Sequence, residues 1–216
     1  MKKKNRDEPR RCDPWLALRA GEAFQRNAIS FLSQIPDDLD TASKFTIRRL
    51  GEFTAAITNL ALAIELFLKC LAIAARARVR TTHDLVVLFE ALPPTLQAAI
   101  ETRYRAKTQA LPVLNAATEL VVSARSDWTE AQMDEAAGKL GLRTGRDSVR
   151  ELLLNEREAF EKWRYMYEGG PSEEITVHRV EHLYLMILAQ ELHAEIVPRI
   201  LKQQPQQAEA SGEALL

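Results

Sequence analysis

Cysteine is nearly absent from this chain. Two residues in 216, Cys12 and Cys70, cannot build a disulfide framework. Cys70 lies in an apolar run, where a buried free thiol suits a reducing cytoplasm. Glycine (8) and proline (9) are also scarce, and no stretch sustains period-two alternation, so an all-α fold is expected. Charge of one sign is missing too. With 29 Lys and Arg against 30 Asp and Glu, the net charge is −1, and any attraction to nucleic acid must come from a local basic patch. No apolar signal region follows the basic start MKKKNRDEPRRC. The most apolar run, Leu60 to Ala75, is short for a bilayer and charged at its middle, so a soluble cytoplasmic protein without membrane contact is expected. The absence of a P-loop, dinucleotide fingerprint, nucleophile elbow and Cys-x-x-Cys motif removes several enzyme classes, and no cofactor is implied.

What the chain does have is one commanding stretch, Leu60 to Leu92. On a wheel of roughly 100° per residue centred on Ile64, the side chains of Leu50, Phe53, Ile57, Leu60, Leu68 and Leu71 fall within about 40° and form one core stripe. Leu62, Leu66 and Ile73 point the opposite way. A helix apolar on both faces must be covered on both, within a bundle or by a second chain. Glu65 and Lys69 sit between the faces at i, i+4 spacing, which lets them pair.

Around this stretch the chain reads as helices with polar ends. Residues 1–12 are a basic arm expected to be disordered, and Asp13-Pro14 is an N-cap followed by proline at the first helical position. The first helix runs to about Gln34. The second, capped by Asp38 or Asp40, continues to about Arg78, a length of roughly 55–60 Å. Thr81 or Thr82 caps a short third helix that Pro93-Pro94 ends, and Thr95 caps a fourth. Helical stretches are expected at 113–126 and from Thr129, where Gln132 completes a capping box. Residues 95–146 thus form a helical insertion in a single domain spanning 13–202. A helix over 148–168 stops at Gly169-Gly170-Pro171, and the last runs from about Ser172 to Lys202 with apolar residues on both sides. Residues 203–216 are a polar tail without a core pattern, expected to be disordered.

Several residues carry chemistry in principle. Arg76, Arg78 and Arg80, with Arg103, Arg105 and Lys107, make a positive face suited to phosphate, against the alternative of a solvated charged surface. His83, beside Asp84 at a helix start, either caps locally or donates to a carboxylate or carbonyl. Arg164, flanked by Trp163 and Tyr165 and four residues before Glu168, binds a phosphate or base, or forms an internal ion pair with Glu65. His178-Arg179-Val180-Glu181-His182 matches a zinc-hydrolase pattern. With too little chain after it for a distant third ligand, it reads as a flank or interface stripe, and no metal is expected.

Two pieces together resemble a known family. Ala63-Ile64-Glu65-Leu66-Phe67-Leu68-Lys69, followed by Thr82-His83-Asp84-Leu85 and Leu88-Phe89, is similar to the A-x-E-x-x-L-K … G-H-D-L-x-x-L pattern of HEPN domains (higher eukaryotes and prokaryotes nucleotide-binding). Phe160 to Glu168 is similar to the F-x-x-W-R-Y-x-Y-E segment of some members. The resemblance covers residues 45–92 and 150–200. It implies an up-and-down helical bundle, a homodimer, and a role with RNA or nucleotide in bacterial defence, toxin–antitoxin pairing with an antitoxin-like partner, or stress response. The family's ribonuclease branch carries Arg-x(4–6)-His. Here no histidine follows Arg164 until His178, while Arg78 to His83 has the spacing at the other end of the fold. The reading is therefore a non-catalytic module with Glu65, Lys69, Arg76, Arg78, Arg80, Tyr165 and Glu168 as binding residues. The alternatives are a metal-independent ribonuclease with a degenerate site at Arg164 and His83, and a purely protein-binding dimerisation module.

Overall fold

A computed structural model describes residues 13–33, 47–109, 118–122, 148–156, 176–180 and 182–210. The elements are α1 (Pro14–Leu32), α2 (Ile47–Ala74), α3 (Leu85–Glu90), α4 (Pro94–Gln109), β1 (Thr118–Val122), α5 (Val149–Asn155), β2 (Thr176–Val180) and α6 (His182–Ala210). The core is all-helical, as composition and periodicity require. The caps expected at 38–40 and 129–132 and the glycine-proline stop at 169–171 lie outside the described residues.

Helix α2 is the axis of the fold. Phe53, Ile57, Leu60, Ile64, Leu68 and Leu71 are all at most 1% exposed, and burying each such side chain is worth about 1.5–3 kcal/mol. Helix α1 runs antiparallel to it. Its first residue, Pro14, accepts a hydrogen bond from the Cys70 thiol at the far end of α2 (3.3 Å), and its Gly21 backbone lies against Phe67. Helix α6 runs parallel to α2, since His182 meets Phe53 edge-on (centroids 5.6 Å apart) and His193 meets Phe67 (5.7 Å). The three helices enclose one core, to which α3, α4 and α5 add Leu85, Leu88, Phe89, Ile100, Tyr104 and Leu152.

The helix ends follow their side chains. Asp13 caps α1, its Oδ1 accepting from the Trp15 amide at 2.9 Å, with Pro14 opening the helix. Asp84, rather than either threonine, caps α3, accepting from the Val86 and Val87 amides. Thr82 acts one step earlier, its hydroxyl oxygen accepting from the Asp84 amide at 3.1 Å. Helix α4 opens at Pro94, one residue before the expected cap, because proline suits a first helical position. The Ser148 hydroxyl oxygen caps α5, accepting from Glu151 at 3.1 Å. Glu101 from α4 also accepts from the Val149 amide at 2.9 Å.

Three expectations about helix extent need correction. Residues 118–122 are not helical but pair as β1 with β2 in an antiparallel ribbon, Thr118 opposite Val180 and Val122 opposite Thr176. A short apolar run such as TELVV does not by itself distinguish strand from helix. The last helix starts at His182, not Ser172, and continues to Ala210. Helix α2 ends at Ala74, where Arg76 takes a left-handed φ of 55°.

The second apolar faces have separate fates. Leu185 and Ile196 are fully buried inside one chain, so α6 needs no partner to cover them. Leu62, Leu66 and Ile73 remain half-buried along one stripe of α2. Gly51–Ala74 is long and apolar enough to cross a membrane, because the helix extends well before the Leu60–Ala75 run. Yet 67% of its most apolar window is buried within the fold, as in a core helix.

Candidate functional site

The site is built where α2 ends and α3 begins. Glu65 points inward from α2 and is only 4% exposed. Its Oε1 accepts from Lys69 Nζ at 2.6 Å, the i, i+4 pairing that the spacing allows. Its Oε2 lies 2.9 Å from Nδ1 of His83. An ionised carboxylate only accepts, so Nδ1 is the protonated ring nitrogen in this contact. A buried carboxylate without partners would cost several kcal/mol, and two donors from separate segments satisfy this one. The two halves of the family-like pattern therefore meet through Glu65 and His83.

Between them runs the segment 75–84. The Arg76 amide donates to the Ile73 carbonyl (3.0 Å) and the Ala77 amide to the Ala72 carbonyl (2.8 Å), the paired bonds of a Schellman turn. Arg76 occupies the left-handed position that glycine normally fills, a conformation costing an ordinary residue about 1 kcal/mol or more. Beyond it, exposure alternates. Arg76, Arg78 and Arg80 face solvent, while Ala77 and Val79 lie against the core. Among the described residues none of these three guanidinium groups has an ion-pair partner.

Most other described arginines behave differently, Arg26 on α1 being exposed and also without an ion-pair partner among the described residues. Arg19 pairs with Glu22, Arg105 with Glu101, and Arg150 with Glu90. Arg103 reaches Glu195 through Nη2, and its buried Nε lies 3.5 Å from Glu191 Oε2, within ion-pair range but without hydrogen-bond alignment. Arg199 also holds Glu195, donating from Nε at 2.8 Å. Arg103 and Arg105 are thus committed to carboxylates. The six-residue positive face contracts to Arg76, Arg78 and Arg80 with Lys107, which is exposed at the end of α4 and has no ion-pair partner among the described residues.

Arg164, Tyr165 and Glu168 lie outside the described residues. Both oxygens of Glu65, the suggested partner of Arg164, are engaged by Lys69 and His83. The His178–His182 pattern is not on one helix, since His178 belongs to β2 and His182 opens α6. The i, i+4 argument for a shared metal lapses with it. Among the described residues no group of three His, Cys, Asp or Glu side chains is arranged to hold a metal ion.

One arrangement was not anticipated. His193 Nε2 lies 2.9 Å from Glu22 Oε1, while Arg19 Nη1 donates to Glu22 Oε2 at 2.8 Å. Burial raises the Glu22 carboxyl pKa, the His193 and Arg19 hydrogen bonds lower it, and the net result lies below the ordinary value. No local pattern marks this contact, since the two residues lie on different helices 171 positions apart. Cys70 is the inert counterpart, its thiol pushed up to about 12 by burial and then by the nearby Asp13 charge.

No family model matches the sequence, and neither a curated protein nor a solved structure shows significant similarity to it.

Proposed function

We propose that this chain is a HEPN-like, non-catalytic helical module that associates with RNA or nucleotide through Arg76, Arg78 and Arg80. Its setting is bacterial defence, toxin–antitoxin pairing or stress control. The observation that carries this reading is the contrast in charge pairing. Three exposed arginines at alternate positions of one segment have no carboxylate partner among the described residues, whereas Arg19, Arg103, Arg105, Arg150 and Arg199 each have one. Arg26, also without one among these residues, stands singly on α1. Unpaired guanidinium groups on a tethered segment are preorganised to receive phosphate oxygens. The contact between Glu65 and His83 supports the family resemblance, because it joins the two halves of the pattern. The half-buried stripe at Leu62, Leu66 and Ile73 is the face through which a homodimer would form.

One observation favours a ribonuclease instead: the His83 imidazole is held by a buried carboxylate, as an oriented general base would be. A single assay separates the readings. Purified protein is incubated with mixed cellular RNA at low salt, beside Arg78→Ala and His83→Ala. The module binds RNA and leaves it intact, and Arg78→Ala weakens the binding. Cleavage abolished by His83→Ala would establish the enzyme. Failure to bind or cleave would leave a protein-binding module.

A further inference from the structure

The spacing of the three arginines carries the argument one step further, resting on the phosphate-binding reading above. Arg76, Arg78 and Arg80 are exposed while Ala77 and Val79 between them pack inward. Arg76 closes the turn at φ 55°, and from Ala77 onward the exposure alternates as in an extended chain whose successive side chains face opposite ways. Two residues of extended backbone span about 7 Å. That pitch is close to the repeat of a sugar–phosphate strand, in which one full ribose separates neighbouring phosphates. Inorganic polyphosphate, with a single oxygen between phosphorus atoms, is packed far more tightly. A mononucleotide presents its charge at one point and engages one arm of the row. In an RNA duplex each strand curves around the axis and its phosphates are held in A-form geometry, so a straight row of three side chains matches it less closely than a strand free to extend.

The row is also fixed in place. Upstream, the Schellman turn at Ala72, Ile73, Arg76 and Ala77 sets its exit from α2. Downstream, His83 is tied to Glu65 and Asp84 caps α3. Ala77 and Val79 anchor the centre, so the backbone that carries the three cations is set before any ligand arrives. We infer that residues 76–80 form a comb for the phosphates of an extended single strand of nucleic acid, one phosphate per arginine, read without regard to base.

The test is fluorescence anisotropy of the full chain with a labelled single-stranded oligouridylate, competed by unlabelled oligouridylate, an RNA duplex of equal length, a uridine mononucleotide and inorganic polyphosphate. The comb predicts that the single strand competes best, on the order of tenfold more strongly per phosphate than the others. The decisive variant is Arg78→Ala with Thr81→Arg. It exchanges one exposed position for another and keeps the net charge, but destroys the alternation. Affinity should fall about tenfold in this variant while its thermal midpoint stays that of the parent. Equal competition by duplex or polyphosphate, or full affinity in the displaced-arginine variant, would overturn the comb and leave a charge-only phosphate site. Absence of binding to every probe would overturn the phosphate-binding reading itself.

Discussion

His83 reaches back eighteen residues to place Nδ1 2.9 Å from a carboxylate oxygen of Glu65 that is buried inside the bundle. The contact fastens the end of the arginine-bearing segment to the central helix. His83→Ala should destabilise the fold by about 1–2 kcal/mol, because Glu65 then keeps Lys69 alone, and lower the thermal midpoint by about 2–8 °C. His83→Asn, which retains a short donor, should recover part of that loss in the same melting experiment.

Phe67 fills the space where a side chain at residue 21 would stand. A Cβ on Gly21 would lie 2.5 Å from Phe67 Cε1, and the ring is completely buried, with His193 against it. Gly21→Ala should cost about 1–3 kcal/mol by overpacking. Combined with Phe67→Leu, it should cost less than the sum of the two single changes, a coupling that denaturant melts of the double-mutant cycle would read.

Arg76 sets stability against binding. At φ 55° in a Schellman turn it stands where glycine carries no steric penalty. Arg76→Gly should raise stability by about 1 kcal/mol while weakening RNA binding. Chemical denaturation and anisotropy on the same preparation should move in opposite directions.

Glu22 gives the fold an acid limb. Its carboxyl pKa is lowered from the ordinary 4.5, so its stabilising contribution is fully present above that value and is lost as pH falls through the lowered one. Melting curves below pH 4.5 should fall less steeply for Glu22→Gln than for the parent. Parallel curves would remove Glu22 from the account.

Cys70 should be silent to thiol reagents. With its pKa pushed up to about 12 and its Sγ donating to the Pro14 carbonyl, almost no thiolate exists at neutral pH. In a Cys12→Ser background, reaction with a disulfide reagent should wait for unfolding and proceed at the rate of global opening.

What could be read from the sequence was the periodic and the local. The stripe from Phe53 to Leu71 has helical spacing, so its burial followed from a wheel. Asp13-Pro14 and the Glu65–Lys69 pairing depend on neighbours within one turn. The contact of His83 with a carboxylate was one of several open readings, since its partner lies across a helix end. The Glu22–His193 contact joins residues 171 apart and leaves no mark on either local pattern. The ribbon was missed because β1 and β2 are five residues each, too short for a period to choose between strand and helix. The role of Gly21 leaves no local mark, because only the Phe67 ring from another helix gives it one.

The central claim is that Arg76, Arg78 and Arg80 hold phosphates, and salt titration measures that most directly. Each neutralised phosphate of a single strand contributes about −0.7 to the slope of log affinity against log salt, so three contacts give a slope near −2. In Arg78→Ala/Arg80→Ala the slope should shrink to about −0.7. A variant that keeps the parent's slope and affinity would show that RNA binds elsewhere on the molecule, and would contradict the account.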